Sequence, residues 1–341
     1  MRWNPNGDDS RPSIDDYLAE TGHEEEAESY RMSTYAWSPT LTPDKKLRIT
    51  KSSLGTFGWC RQQYYLEKFK DMRGEQQDHH IRGLNVHDMM EWFWANFTTE
   101  QEVEVLALAD DVPKARQLFY SAFPTPPEPY IYGEDEQIAQ WAEWQFQRLL
   151  HTGGKQWRPV GVEANIHATR FVEVDGEGIP VHMNGFIDTL FADDDTFALM
   201  ELKSGKYSTR SKPGSMRKEM AFYKMMLEHS NHAEFLPITH WGWEFPGGGI
   251  NGGDGPAIFY EKERATSMQS VEKALQKLVK AHIDMEFPPD PWMKKKLHDE
   301  ETLEEMLERN ALKCSWCDFK EHCSFWSLTD EFLDEIMEEK Q

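Results

Sequence analysis

One constellation in the sequence has clear chemical potential. Gly185-Phe186-Ile187-Asp188-Thr189-Leu190-Phe191 is followed, across the polar turn Asp193-Asp194-Asp195-Thr196, by Phe197-Ala198-Leu199-Met200-Glu201-Leu202-Lys203. Both runs are apolar and read as strands, and a tight hairpin sets Asp188 beside Glu201. Side chains alternate along a strand, so Glu201 and Lys203 share a face that Met200 and Leu202 do not. Two carboxylates amid apolar strand residues repel unless a cation lies between them. Mg²⁺ suits such a place, because it takes oxygen ligands, and the main-chain carbonyl of Leu202 can add one. Lys203 stands where its ammonium can hold a water on the ion or stabilise charge on a phosphorane-like transition state. The chemistry implied is metal-assisted phosphodiester hydrolysis. The plain alternative is a solvated surface hairpin.

Residues outside the hairpin can complete the site. Gly83-Leu84-Asn85-Val86-His87 places an imidazole on a helix, and that ligand favours Mn²⁺ somewhat. Glu163, on an earlier strand, can line the same cleft. Glu219 and Tyr223 are one helical turn apart and can position a phosphate or the lysine. Between strand and helix, residues 203–218 hold Lys203, Lys206, Arg210, Lys212, Arg217 and Lys218 and no acid. That stripe can meet phosphates even though the chain carries a formal charge of −23. Much of the acid is segregated. Residues 1–30 hold nine acids against two arginines, and 298–310 and 328–341 hold six acids each against one base apiece.

The elements that must position these groups follow from the pattern. Residues 1–45 read as an acidic flexible leader. Helical spacing covers 50–70, behind cap candidates Ser52 and Ser53, then 84–97 and 134–150, with the proline-rich stretch 124–129 between the last two. Strands 160–174, 179–192 and 197–203 form an antiparallel meander, turned by Asp175-Gly176-Glu177-Gly178 and the Asp193 turn. A helix over 215–229, with Met216, Met220, Tyr223 and Leu227 along one side, leads to strands 240–245 and 257–260 and a helix near 267–285. The order predicts a mixed α/β layer with a helical subdomain. Most of the tryptophans, among them Trp92, Trp94, Trp141, Trp144, Trp241 and Trp243, fall in periodic segments and are expected in the core. A few can stack on unpaired bases.

Four cysteines remain: Cys60, and Cys314-x₂-Cys317-x₅-Cys323 with Trp316, Phe319 and Phe325 around them. Four thiolates in a reducing compartment can hold a [4Fe–4S] cluster or a tetrahedral zinc ion. Closing so long a loop would fasten the N- and C-terminal parts together. No run of about 20 apolar residues predicts a membrane span, and the start lacks a secretory signal, so a cytoplasmic location is expected.

Gly-x-x-x-His, Gly-x-Ile-Asp, Glu-x-Lys and a helix carrying x-x-x-Tyr together resemble the RecB-type branch of the PD-(D/E)XK nuclease superfamily. With the cysteine spacing, the chain is similar to its iron–sulfur members, including the CRISPR-associated Cas-four-type exonucleases and the AddB nuclease domain. The resemblance implies a restriction-endonuclease-like mixed sheet flanked by helices. It makes His87, Asp188 and Glu201 ligands of Mg or Mn, and Lys203 the catalytic lysine. It assigns Cys60, Cys314, Cys317 and Cys323 to a structural [4Fe–4S] cluster, with zinc as the alternative. One departure is Glu219, where the family carries Gln in Gln-x-x-x-Tyr. The expected organisation is a helical region 46–155, a nuclease core 156–264, a cluster-binding segment 265–326 and an acidic tail 327–341. The implied activity is DNA exonuclease action on single strands or ends. The rival is an inactive DNA-binding module of a recombination, replication or CRISPR-adaptation complex.

Overall fold

The computed structural model describes residues 46–74, 77–123, 130–205, 212–248, 257–288, 305, 314 and 317–323. The acidic leader, the proline-rich stretch, Lys206, Arg210, Trp316, Phe325 and the acidic tail lie outside them. The chain forms two compact units. One comprises 1–74, 169–183 and 274–341; the other comprises 75–168 and 184–273.

The second unit carries the hairpin. Strands β2 (Gly161–Val174), β3 (Glu177–Asp193) and β4 (Thr196–Leu202) follow one another, and β2 and β3 run on through both units. With β1 (Leu47–Thr50), β5 (Ile238–Phe245) and β6 (Ala257–Lys262), they make a six-stranded mixed sheet. Its order is β1-β3-β4-β5-β6, with β2 pairing β3. β3 and β4 pair antiparallel from Asp193↔Thr196 to Thr189↔Met200. β4 and β5 are parallel, with Glu201 opposite Trp243, and β5 and β6 are antiparallel. A parallel pair needs a crossover, and helix α7 (Lys212–Glu228) supplies it.

A helical core packs in the same unit. Helices α3 (Asp78–Asn96), α4 (Thr99–Ala107), α5 (Val112–Tyr120) and α6 (Glu134–Thr152) bury Phe93, Trp94, Phe97, Phe119, Trp141, Phe146 and Trp157 in one cluster, which Leu202 of β4 joins. Edge-to-face rings recur through it, such as Phe93 against Trp141 at 5.5 Å. Helices α4 and α5 were not expected from periodicity. Each is nine residues long, and each starts at a cap: Thr98 with Gln101 in a capping box, and Asp111 accepting from the Lys114 amide.

Helix α7 departs from the one-sided pattern. Met220, Ala221, Phe222, Tyr223, Met225, Met226 and Leu227 are all buried. A helix apolar all round must be interior. Its one buried cation in this stretch, Lys224, is matched by Glu263 and the Ile238 carbonyl. Among the tryptophans expected inside, Trp94, Trp141, Trp241 and Trp243 are buried but Trp92 is exposed.

The first unit holds helices α1 (Lys51–Trp59) and α2 (Arg61–Phe69) and the end of α8 (Ala265–Asp284). The single helix expected over 50–70 is broken, because Cys60 is extended, with φ −155° and ψ 124°. Thr50, rather than Ser52 or Ser53, caps α1, and it exchanges hydrogen bonds with Ser53. Tyr64 is packed against Phe57 and Phe287, and its hydroxyl meets His282 Nε2 at 2.9 Å. Among the described residues, no helix is long and apolar enough to cross a membrane.

Candidate active site

The strand ladder between β3 and β4 ends at Thr189 and Met200. One step further come Asp188 and Glu201. There the Leu202 amide donates to Asp188 Oδ2 at 2.7 Å. A carboxylate side chain thus takes a backbone donor just past the last paired residues, and the fold itself fixes Asp188. Both carboxylates are almost wholly buried, at 5% and 2% exposure.

Helix α3 brings His87 to the same place. Its Nδ1 lies 3.1 Å from Glu163 Oε1, and its Nε2 lies 3.8 Å from Asp188 Oδ2. The helix is held close by specific contacts. Asn85 Nδ2 donates to the buried Glu134 at 2.8 Å, and Gln137 Nε2 donates to the Ser204 carbonyl at 2.9 Å. The approach is close at Gly83, where a Cβ would stand 3.1 Å from Ser204 Oγ and the serine would have to shift by a few tenths of an ångström.

Lys203 lies between two carboxylates. Its Nζ donates to Glu201 Oε1 at 2.8 Å and to Glu219 Oε2 at 2.7 Å. Its amide donates to the Glu244 carbonyl at 2.8 Å, which seats the residue on β5. Glu244 itself is fully enclosed and takes a hydrogen bond from Trp141 Nε1 at 3.0 Å, and burial raises its carboxyl pKa. Glu219 here accepts from Lys203. A glutamine carbonyl oxygen would accept in the same way, so the departure from the family pattern keeps this contact. Tyr223 is buried with its hydroxyl hydrogen-bonded to Glu201. Burial first, then Glu201, Asp188 and Glu219, hold its pKa far above the ordinary phenol value.

The electrostatics ask for a cation. Burial lowers the pKa of His87, but Asp188, Glu163 and Glu201 outweigh that and push it up to about 9. Among the described residues, the group of three potential ligands whose donor atoms all lie within 4.8 Å of one another is His87, Glu163 and Asp188. Imidazole nitrogen plus carboxylate oxygen, partly shielded from water, is a donor set that fits Mg²⁺ or Mn²⁺.

The basic stripe is less available than its composition suggests. Arg217 makes a two-pronged pair with Glu261, at 2.6 and 2.9 Å. That pair occupies the Arg217 guanidinium in this structure. Lys218 is exposed on α7, and the side chain of Lys212 is not among those described. Asn85, Gln137 and Glu134 carry no local signal as supports, because each acts through a partner at least 49 positions away.

The first unit gathers cysteines from both ends of the chain. Burial, with Cys60 and Cys323 nearby, raises the Cys317 thiol pKa, while the Phe319 amide donates to its sulfur. The turns Cys314-to-Cys317 and Lys320-to-Cys323 are closed by backbone bonds of 3.0 Å, and Phe319 is buried beside them.

The model of the PD-(D/E)XK nuclease superfamily matches residues 48–324 of the chain. No curated protein matches it. Among solved structures, the chain is similar to SSO0001, at 10% identity and a TM-score of 0.35, over 90% of this chain and 96% of that one. It is also similar to a provisionally assigned exonuclease from Eubacterium rectale, at 13% identity and a TM-score of 0.40, over 74% and 89%.

Proposed function

The chain belongs to the PD-(D/E)XK nuclease superfamily, and from that premise we propose that it is a Mg²⁺- or Mn²⁺-dependent exonuclease of RecB type acting on single-stranded DNA or DNA ends. The observation that carries this reading is that His87 Nε2 meets Asp188 at 3.8 Å where β3 and β4 part, while Glu201, which stands outside that close donor group but whose charge acts on His87, holds Lys203. His87, Asp188 and Glu201 would hold the ion, which supplies charge neutralisation at the phosphate and a more acidic water. Glu219 and Glu201 hold the Lys203 ammonium in place, so that it meets the charge growing on the phosphoryl oxygens. Tyr223 fixes Glu201 from the other side by its hydroxyl. Leu202, through its amide, fixes Asp188.

Single-strand preference is supported by apolar groups beside the acids. Phe186, two residues before Asp188 on β3, is half exposed, and Leu84, one turn before His87, is exposed too. An exposed aromatic ring next to a phosphate-cutting centre suits an unpaired base. A [4Fe–4S] cluster on Cys60, Cys314, Cys317 and Cys323 is part of the same proposal, supported by the nearness of Cys60 and Cys323 to the Cys317 thiol.

The test uses full-length protein prepared without oxygen, end-labelled single strands and blunt duplexes, and Mg²⁺, Mn²⁺ or EDTA. Metal-dependent release of short products from single strands or ends is expected. Absence of cleavage with either ion would refute the reading in favour of a DNA-binding module. Iron and zinc analysis of the same sample tests the cluster. Four iron atoms per chain, lost in Cys60→Ala, are expected, and stoichiometric zinc would replace the cluster.

A further inference from the structure

His87 offers two nitrogens to two different acids. Nδ1 is within hydrogen-bond distance of Glu163, while Nε2 stands 3.8 Å from Asp188, too far for a hydrogen bond. Asp188 Oδ2 is already accepting from the Leu202 amide. The Nε2 side is therefore the side left to a cation, and the Nδ1 side is the one engaged by protein.

The backbone at Glu163 is unusual. It sits inside β2 yet has φ +43°, a left-handed conformation that a glutamate rarely adopts. Such a residue in a strand breaks the alternation and re-aims its side chain. Here the carboxylate so directed reaches His87, 76 positions away. Strained backbone persists only where the surroundings hold it, and it concentrates at working sites.

We propose that Glu163 is a positioning residue for His87: it accepts the Nδ1–H hydrogen bond, fixes the ring plane and tautomer, and so presents the Nε2 lone pair to the cation beside Asp188. An imidazole ligand almost always gives its other N–H to a carboxylate or carbonyl, which locks its orientation and raises its basicity. The inference rests on the metal-binding reading above and adds a role for a residue that touches the ligand, not the reacting atoms.

The test measures Mn²⁺ binding by calorimetry in wild type, Glu163→Ala, Glu163→Gln and His87→Ala, with melting curves as a fold control. Glu163→Ala is expected to weaken Mn²⁺ roughly 10- to 100-fold. Glu163→Gln keeps an acceptor oxygen and is expected to stay within about threefold of wild type. Equal losses in the two variants would overturn positioning and make Glu163 a direct ligand. An unchanged Glu163→Ala would also overturn it. If His87→Ala binds Mn²⁺ as wild type does, the metal-binding reading itself fails, a result distinct from the other two. A second readout is ¹⁵N-histidine NMR of the Mg²⁺-loaded protein, with the His87 signal identified by its loss in His87→Ala. A protonated Nδ1 and bare Nε2 are expected in wild type and Glu163→Gln. The opposite tautomer in wild type would refute the proposal.

Discussion

Lys203→Met removes one positive charge and little volume, and its consequences can be worked from the site. Four carboxylates (Glu163, Asp188, Glu201 and Glu219) face two cationic groups, His87 and Lys203. Without the ammonium, the buried Glu201 keeps its Tyr223 hydrogen bond but loses its charge partner. Breaking a fully buried pair costs about 3–5 kcal/mol. Lys203 is about a quarter exposed, and solvent screening brings the expectation down to about 1–3 kcal/mol. For a unit of 150–250 residues, that lowers the melting temperature by roughly 2–12 °C in EDTA. Mn²⁺ supplies the missing charge, so it should raise the melting temperature of the variant more than that of wild type. Cleavage should meanwhile fall by about a thousandfold or more, the usual loss when a preorganised cation is taken from a phosphoryl-transfer site. Scanning fluorimetry with and without Mn²⁺, beside a gel assay on labelled single strands, reads both effects. A variant that cuts at the wild-type rate would refute the assignment of Lys203. One that melts identically in EDTA would refute the charge reasoning.

Two further outcomes are expected. Phe186→Ala should raise KM for single strands by roughly 5- to 100-fold, the range for losing one base–aromatic stack, with kcat little changed; equal effects on single strands and duplexes would count against stacking. His282 is buried without charge, its pKa lowered by burial from 6.5 to about 3. Below pH 6.5 the unfolded chain gains a proton that the folded chain refuses, so this group's stability is full above pH 6.5 and is lost as pH falls toward 3. The loss is on the order of 5 kcal/mol. His282→Gln keeps an acceptor for Tyr64 and should flatten that slope in denaturant melts across pH 4–7, and an unchanged slope would show that His282 is not its source.

The hairpin and its neighbours were legible because alternation of two residues is a local signal. Asp188, Glu201 and Lys203 could be put on one ribbon from the apolar runs alone. The mixed α/β layer was legible from the order of the elements, and the flanking of its sheet by helices from the resemblance carried by the motifs. The break at Cys60 was not. Trp59, Cys60 and Arg61 have no turn chemistry, and the one local hint of the extended conformation that Cys60 takes is Gly58, a weak helix former two residues earlier. Helices α4 and α5 did carry a signal, in Thr98-x-x-Gln101 and in Asp111 two residues before a proline, but too short a periodicity to reveal them. The pairing of Arg217 with Glu261 and that of His87 with Glu163 are tertiary facts, made between residues 44 and 76 positions apart.

The site also shows why its residues resist simple truncation. Asp188 closes the strand ladder by accepting the Leu202 amide, and Glu201 anchors both Lys203 and Tyr223. These carboxylates are therefore members of the fold as well as candidate ligands. Replacing Asp188 by alanine would strand a buried amide donor, at about 1–3 kcal/mol, whatever it did to metal binding. Asp188→Asn keeps an oxygen for that amide while it removes the charge and turns the other oxygen into an N–H donor. The two effects separate only in such isosteric changes, and a loss of Mn²⁺ affinity without a loss of stability in Asp188→Asn would belong to the ion alone.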